Sequence, residues 1–264
     1  MYDKSSKTKA GTLEKILLEA HQFQANQRPF LAVFDLDSTL FDLTLRVSAI
    51  VDQFAQEPEY LQLFPEECER LKELKIERSD WGLGEPLSRI GIFEHSHQKF
   101  FQEIHRYWTA GFFSNNFLHH DLPLPGAVDF VQQLQKIGPM VHIMYLTGRD
   151  IPRMKSGTEE SLKKWNFPLE APTSKLVLKP SASLDDAAFK VAVLRETEKL
   201  YERIWLFENE PVNLNLTAKH CPEIQLVFIE STHSGREEVS ETLDRITHFE
   251  IDLIEFEQRA QKKS

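Results

Sequence analysis

The sequence predicts an α/β fold, a doubly wound and mostly parallel sheet with helices on both faces and a helical segment inserted after the first strand. Three observations support this fold: short continuous apolar runs, helical periodicity between them, and one gap too long for a simple crossover. The chain is long enough for such a fold, because 264 residues of which 41% are hydrophobic can bury a substantial core.

Five apolar runs have the length and continuity of strands that are covered on both faces. They lie at residues 30–34, 141–146, 175–178, 204–207 and 226–229. Helical patterns precede and separate these runs, at residues 13–24, 129–137, 151–165, 184–200 and 212–219. Strands that alternate with helices favour parallel pairing. For residues 235–264 we expect one or two charged amphipathic helices.

One gap breaks the alternation. Roughly a hundred residues separate the first two strands, whereas a parallel crossover needs about a dozen. Helical patterns at residues 44–56, 65–76 and 93–108 occupy this gap, and a Leu-Pro-Leu-Pro-Gly sequence at 122–126 marks the return to the sheet. We therefore expect a helical insertion over residues 42–122, with a core domain made of residues 1–41 and 123–264.

Composition argues against several classes of partner. The 31 Lys and Arg residues against 41 Asp and Glu give a formal charge of −10, which opposes binding to nucleic acid or anionic lipid. No apolar run approaches the ~20 residues that cross a bilayer, and the first residues lack a secretory signal pattern. The two cysteines, Cys68 and Cys221, are too few for a disulfide framework. We expect a cytoplasmic protein, and its oligomeric state stays open.

Polar side chains follow four of the predicted strands. In a doubly wound sheet, ligands bind outside the carboxyl ends of the strands. The residues found there are Asp35 and Asp37, then Thr147 and Gly148, then Lys179, and finally Glu208. Carboxylates that converge are unfavourable unless a cation binds among them, and Mg²⁺ prefers a few carboxylates together with water and phosphate oxygens. The pattern predicts a magnesium site.

The same residue types suit phosphoryl transfer. An ionised Asp35 can attack phosphorus, and Asp37 can give a proton to the leaving oxygen and later take one from water. Thr147 and nearby backbone N–H groups can bind phosphoryl oxygens, while a lysine neutralises their charge.

Three of these segments resemble motifs of the haloacid dehalogenase (HAD) superfamily. Residues 34–40, Phe-Asp-Leu-Asp-Ser-Thr-Leu, resemble its first motif, which in the phosphatases reads Asp-x-Asp-x-Thr/Val. Residues 144–149, Met-Tyr-Leu-Thr-Gly-Arg, are similar to its second motif, and the Glu-Asn pair at 208–209 is similar to its fourth. The resemblance covers about residues 30–229 and implies a Rossmann-like core with a helical cap inserted after the first strand.

The resemblance also implies a role for each matching residue. Asp35 matches the nucleophile and metal ligand, and Asp37 matches the general acid/base, whose main-chain carbonyl also binds the metal. Thr147, together with Gly148, matches the phosphate-binding position, and Glu208 matches the acidic metal position.

Two points stay open in this comparison. The third motif is a lysine near the start of the helix that precedes the fourth-motif strand; Lys190 is the first choice, and Lys179 is the alternative. Lys190 would also bind phosphate. In the fourth motif, Asn209 replaces the usual second acid, and Glu210 or a water molecule would have to compensate.

The resemblance therefore implies a Mg²⁺-dependent phosphomonoester hydrolase that acts through an aspartyl-phosphate intermediate on a small phosphorylated metabolite. Two alternatives stay open: a phosphotransferase of the same superfamily, and a catalytically weak member that binds a phosphorylated ligand.

Overall fold

The structure is a computed structural model, and it describes residues 11–251. The strands in chain order are β1 (Phe30–Phe34), β2 (Phe41–Asp42), β3 (Leu122–Pro123), β4 (Val141–Asp150), β5 (Ser174–Lys179), β6 (Arg203–Glu208), β7 (Gln225–Ile229) and β8 (Asp244–Ile246). The helices are α1 (Thr12–Ala25), α2 (Thr44–Gln56), α3 (Pro58–Leu63), α4 (Pro65–Leu71), α5 (Gly84–Arg89), α6 (Gln98–Phe112), α7 (Ala127–Lys136), α8 (Ile151–Lys164), α9 (Asp186–Thr197) and α10 (Pro211–His220). A 3-10 helix covers Asn115–His120.

Six strands form one parallel sheet among the described residues. Their order is β5-β4-β1-β6-β7-β8, so β1 lies between β4 and β6. The chain proceeds from β1 towards β5 and then crosses to the other side of β1 to form β6, β7 and β8. This reversal makes the carboxyl end of β1 the switch point of the sheet, which is where doubly wound folds bind their ligands.

Helices cover both faces of the sheet, as the sequence predicted. Alternate residues of β1 point to opposite faces. Phe30, Ala32 and Phe34 lie in a core cluster with residues of α1, α7 and α8. Leu31 and Val33 lie in a second cluster with residues of α9 and α10. The unbroken apolar sequence of β1 therefore reflects burial on both sides.

The predicted insertion is helical. Helices α2 to α6 lie between β2 and β3, and their apolar side chains form a third cluster that includes Val51, Phe54, Phe100 and Ile104. The strands β2 and β3 pair antiparallel at the base of this segment, with Phe41 opposite Pro123. This short pair was not predicted, because two residues per strand leave no periodic pattern in the sequence. Among residues 11–251, no helix is long and apolar enough to cross a membrane.

Two other predictions were wrong in detail. The described part of the segment predicted as C-terminal helix, residues 235–251, contains the edge strand β8 and no helix, and residues 252–264 lie outside the described residues. Pairing with β7 and burial of Ile246 and Phe249 hold this segment against the sheet. Gly126 permits the contact: it has a φ of 75°, and a Cβ there would lie 2.4 Å from the backbone of Phe249.

The second error concerns the end of a strand. We predicted that β4 ends at residue 146, but it continues to Asp150 through a register shift after Thr147. Irregularities of this kind redirect side chains at the end of a strand. Thr147 and Gly148 therefore lie within the last part of β4 rather than in a loop.

Candidate active site

Asp35 lies directly after β1 at the switch point of the sheet. Its backbone N–H donates to the carbonyl oxygen of Phe207 at 3.0 Å, which extends the β1–β6 ladder by one residue and fixes the start of the loop. Glu208 ends β6 beside it, and Lys190 reaches the same point from α9. The parallel sheet thus brings together three residues that are far apart in the chain.

These three residues, which we call the nucleophile cluster, form a buried ion network. Lys190 Nζ donates to Asp35 Oδ1 and to Glu208 Oε2, both at 2.6 Å. None of the three side chains is more than 6% exposed. With both acids ionised the cluster carries two negative charges and one positive charge. It therefore has one uncompensated negative charge in a buried position.

The local charges shift the ionisation of the cluster. Burial raises the pKa of Asp35 to about 7, with Glu208 adding to the rise and Lys190 opposing it. Burial would lower the pKa of Lys190, but the two neighbouring carboxylates raise it above its ordinary value, so the ammonium form is retained. Glu208 is held in place from both sides, because its Oε1 accepts from the backbone of Glu210 at 3.0 Å and its Oε2 accepts from Asn213 Nδ2 at 3.1 Å.

Asp35 and Glu208 are the residues that would hold a metal ion. No group of three or more His, Cys, Asp or Glu side chains with the arrangement of a metal site exists among residues 11–251. A site of two carboxylates still suits Mg²⁺, which binds through one or two protein carboxylates and takes its other ligands from phosphate and water. The uncompensated charge of the nucleophile cluster fits such a cation. The main-chain carbonyl of Asp37 stays a predicted ligand.

Hydrogen bonds tie the two residues after Glu208 to neighbouring loops. Asn209 Nδ2 donates to the carbonyl oxygen of Thr232 at 2.7 Å, and its Oδ1 accepts from Thr39 Oγ1 at 3.1 Å. Glu210 accepts from the backbone and the hydroxyl of Ser234 at 2.9 Å and 2.6 Å. Asn209 therefore ties the loop after β1 to the loop after β7, and both oxygens of Glu210 already have protein partners.

The irregular end of β4 lies beside the nucleophile cluster. Thr147 is buried, and its Oγ1 accepts from the backbone N–H of Arg149 at 3.2 Å. Gly148 faces Asp186, and a Cβ at this position would lie 2.5 Å from Asp186 Oδ2. A larger residue at this position would displace the Asp186 side chain, which is about half exposed.

The two candidate lysines have different partners. Lys190 contacts Asp35 directly, whereas Lys179 pairs with Asp186 and donates to the carbonyl oxygen of Leu184 at 3.0 Å. Both lysines line the same cavity. The geometry brings Lys190, not Lys179, to the predicted nucleophile.

A second ion network, which we call the arginine cluster, surrounds Asp37. Arg46 Nη2 and Arg149 Nη2 both donate to Asp37 Oδ1, the first at 2.6 Å. Both arginines also pair with Asp121, which lies 2.9 Å from Arg46 Nε and 2.7 Å from Arg149 Nη2. Two acids and two guanidinium groups give this cluster no net charge. It links α2 and the segment before β3 to the ends of β1 and β4.

Sequence reasoning missed the arginine cluster. One signal was present, because Arg46 shares a face of α2 with Ile50 and Phe54 at a spacing of four residues. A charged residue on an apolar helix face needs a buried partner. Arg46 is fully buried. Its partner Asp37 lies nine residues earlier, but Asp121 comes from the far end of the insertion, which the sequence does not connect to α2.

The arginines control the charge of Asp37. Burial would raise the pKa of Asp37, but Arg149 and Arg46 hold it well below its ordinary value. This contact favours the carboxylate form, which suits the acceptance of a proton from water. Donation of a proton to a leaving group requires that Asp37 first takes one up. The acid/base role of Asp37 stays a prediction.

The site opens into a cavity of about 460 Å³. Asp35 and Glu208 line it from the ends of β1 and β6 and Lys190 from α9, while Trp81 and Phe113 line it from the helical insertion. The insertion therefore covers the carboxyl end of β1 and restricts what can reach Asp35.

Solved structures resemble this chain, although no protein-family model and no curated protein sequence matches it. Protein Tyrosine Kinase A of Mycobacterium tuberculosis has 15% sequence identity and a TM-score of 0.52, and the match covers 89% of this chain and 98% of that one. A candidate phosphatase from Clostridium difficile has 13% identity and a TM-score of 0.51, covering 80% and 89%. A HAD-superfamily hydrolase from Geobacter sulfurreducens has 11% identity and a TM-score of 0.47, covering 86% and 98%.

At these identities the likeness concerns the fold alone. The parallel sheet, the helices on both of its faces and the switch point at β1 give the chain a HAD-like α/β fold. The resemblance drawn from the sequence motifs is confirmed at this level.

Proposed function

We propose that this protein hydrolyses phosphomonoesters of small metabolites, with Asp35 as the nucleophile. The observation that carries the proposal is the nucleophile cluster at the switch point, where a buried carboxylate lies beside a lysine and a second acid and lines a cavity. A hydrolase that acts through an aspartyl-phosphate intermediate needs this combination of nucleophile and neutralising charge.

The reaction runs in two displacements. Asp37, which the arginines favour as a carboxylate, must first take up a proton from solvent. In the first displacement, a carboxylate oxygen of Asp35 bonds to phosphorus, the bond from phosphorus to the ester oxygen breaks, and the leaving oxygen takes that proton from Asp37. In the second, a water oxygen attacks phosphorus while Asp37 takes the water proton. The bond between phosphorus and Asp35 then breaks, inorganic phosphate leaves, and Asp37 is again ready to donate.

Other residues of the site stabilise the charge on the phosphoryl group. Lys190 carries its ammonium group beside Asp35, where negative charge accumulates on the phosphoryl oxygens. Thr147 and the backbone of Gly148 lie at the edge of the same cavity and can donate to those oxygens.

Magnesium is the proposed cofactor, held by Asp35 and Glu208, and it would supply positive charge for the phosphoryl oxygens. An acidic cluster and a phosphate dianion repel each other without such a cation. Removal of the metal should therefore reduce binding of phosphate as well as turnover.

We further propose that residues 42–122 act as a cap. Aromatic side chains of this segment line the cavity above Asp35, so a closed cap would exclude water and admit only small substrates.

One observation favours a second candidate, a member that binds a phosphorylated ligand with little turnover. Asn209 stands where a second acid is usual and is fully engaged with Thr39 and Thr232, which leaves two carboxylates for the metal. The intact pair of Asp35 and Asp37 argues for the hydrolase.

The deciding experiment measures phosphate release from an aryl phosphate and a panel of small phosphomonoesters, with Mg²⁺ and with EDTA. We expect Mg²⁺-dependent release that the Asp35→Asn variant lacks and that the Asp129→Asn variant, altered at an exposed position of α7, retains. No release from folded, Mg²⁺-loaded protein would contradict the hydrolase and favour the phosphate-binding candidate. Product that depends on an added alcohol acceptor would instead identify a transferase.

A further inference from the structure

A second cavity lies next to the proposed active site, between the insertion and the sheet. Its volume is about 430 Å³, which is within the range of small-molecule binding sites. Its walls are mainly apolar, and four aromatic side chains line it: Trp81, Trp108, Phe112 and Phe113. We call it the aromatic cavity.

The aromatic cavity adjoins the active-site cavity directly. Five residues line both: Ser38, Leu43, Trp81, Phe112 and Phe113. A phosphate ester bound at Asp35 would therefore extend its organic part towards the aromatic side chains. The two cavities together have the arrangement of a phosphate site and a leaving-group site.

Two of the four aromatic side chains contact arginine side chains, which hold them in place. The Arg46 guanidinium lies 4.3 Å from the centre of the Phe112 ring, and the Arg153 guanidinium lies 5.2 Å from that of Phe113. Trp108 packs on Phe112 with ring centres 5.0 Å apart. Fixed rings form a preorganised surface, which lowers the entropic cost of binding a flat ligand.

Charge in the wall argues against a second anionic group on the ligand. Arg78 is the one cationic side chain among the lining residues, while Asp42, Glu77 and Asp80 supply three carboxylates. Arg89 pairs with Asp80 at 2.6 Å, and Arg78 Nε lies 4.0 Å from Asp42. Arg78 and Arg89 together offset two of the three carboxylates, so the wall has no surplus cation to bind a further carboxylate or phosphate on the ligand.

We infer that the aromatic cavity binds the leaving group of the substrate, and that this group is an uncharged aromatic moiety. The inference rests on the proposed function, because it assigns the substrate class of the same site. The inference adds a preference for one class of leaving group, which the motif residues around Asp35 do not determine.

The first test compares benzyl phosphate with glycerol phosphate. Both esters release an alkoxide-type oxygen, so their ratio of kcat/KM reports binding of the organic group rather than its intrinsic reactivity. We expect a ratio of about 10 or more in favour of benzyl phosphate, since burial of a ring in an apolar site contributes a few kcal/mol. A ratio near or below unity would overturn the inference.

Trp81→Ala removes one wall and should preserve the fold, because Trp81 is 59% exposed. We expect it to lower the benzyl-to-glycerol ratio about tenfold. The matched control is Leu61→Ala, which removes an exposed apolar side chain of α3 outside both cavities and should leave the ratio unchanged. An unchanged ratio in Trp81→Ala would also overturn the inference.

A binding measurement separates the inference from the proposed function. Calorimetry compares benzylphosphonate with methylphosphonate, neither of which can be hydrolysed, in the presence of Mg²⁺. Tighter binding of benzylphosphonate that Trp81→Ala abolishes, without turnover of any ester, would refute the hydrolase and support the aromatic site. Turnover of all esters with equal binding of the two phosphonates would refute the aromatic site and support the hydrolase. Absence of both would refute both.

Discussion

The two ion clusters at the carboxyl end of the sheet differ in charge balance. The nucleophile cluster has two acids for one lysine, whereas the arginine cluster has two acids for two guanidinium groups. A buried charge without a partner is costly, while a balanced network can be self-sufficient. The excess negative charge of the nucleophile cluster indicates where an external cation and a substrate would bind. The neutral charge of the arginine cluster indicates a structural link between the insertion and the sheet.

The largest expected effect tests the excess negative charge of the nucleophile cluster. Asp35→Asn removes the predicted nucleophile and should lower turnover at least about 1,000-fold. The same change removes the uncompensated charge, so we expect the metal-free protein to be as stable as the wild type or more stable in urea unfolding. Full activity, or a marked loss of stability without loss of activity, would contradict the assignment of Asp35.

The next effect separates the two candidate lysines. Lys190→Met should reduce kcat about 100- to 1,000-fold, because it removes a charge-stabilising group beside the nucleophile. Lys179→Met is the matched control and should reduce kcat less than about tenfold, since Lys179 pairs with Asp186 instead. Circular dichroism checks that both variants are folded. A larger loss in Lys179→Met would reverse the assignment of the two lysines.

A substitution in the arginine cluster should change the free energy of unfolding. Arg46→Ala leaves Asp37 and Asp121 with a single guanidinium partner and should lower the free energy of unfolding by about 3–5 kcal/mol. The control is Arg153→Ala, whose partially exposed pair with Asp150 should contribute about 1 kcal/mol or less. Equal losses in the two variants, measured by urea unfolding, would show that the arginine cluster is no more important than a surface pair.

The smallest effect concerns a single carboxylate beside the arginine cluster. Asp150 accepts from the backbone N–H of Arg153 at 3.0 Å and caps α8, so Asp150→Ala should cost about 1 kcal/mol of stability. Burial would raise the pKa of Asp150, but hydrogen bonds from Arg153 lower it overall. A lowered pKa stabilises the fold above the unfolded-state value and loses that effect as the pH falls.

The difference in stability between the wild type and Asp150→Ala should therefore shrink below about pH 4. Urea unfolding at neutral and acid pH measures this difference. A difference that grows with acidity would contradict the capping role.

The elements with strong local patterns were predictable. The run from Phe30 to Phe34 is apolar at every position because both of its faces are covered, and α2 has the periodicity of an amphipathic helix. The motif positions followed from the same logic, because every strand of the parallel sheet ends at the same edge. Their positions at strand ends therefore predict that Asp35, Thr147 and Glu208 lie close together.

Features that depend on distant partners were not predictable. The strand β8 has three residues and forms because β7 offers a free edge, a condition that the local sequence does not encode. The contacts of Asp37 with Arg46 and Arg149 depend on where the insertion packs. The choice between Lys190 and Lys179 required the direction in which each side chain points, which periodicity alone leaves open.

The short pair of β2 and β3 has a consequence for how this protein could vary. Phe41 and Pro123 lie opposite each other, so the chain leaves and rejoins the sheet domain at adjacent points. In topology, the whole segment between them is equivalent to the loop that joins two antiparallel strands of a hairpin. The helices after α2 could be exchanged for others of different length without shifting the register of β1, whereas α2 carries Arg46, the partner of Asp37. Substrate preference could then change while Asp35 and Asp37 keep their surroundings.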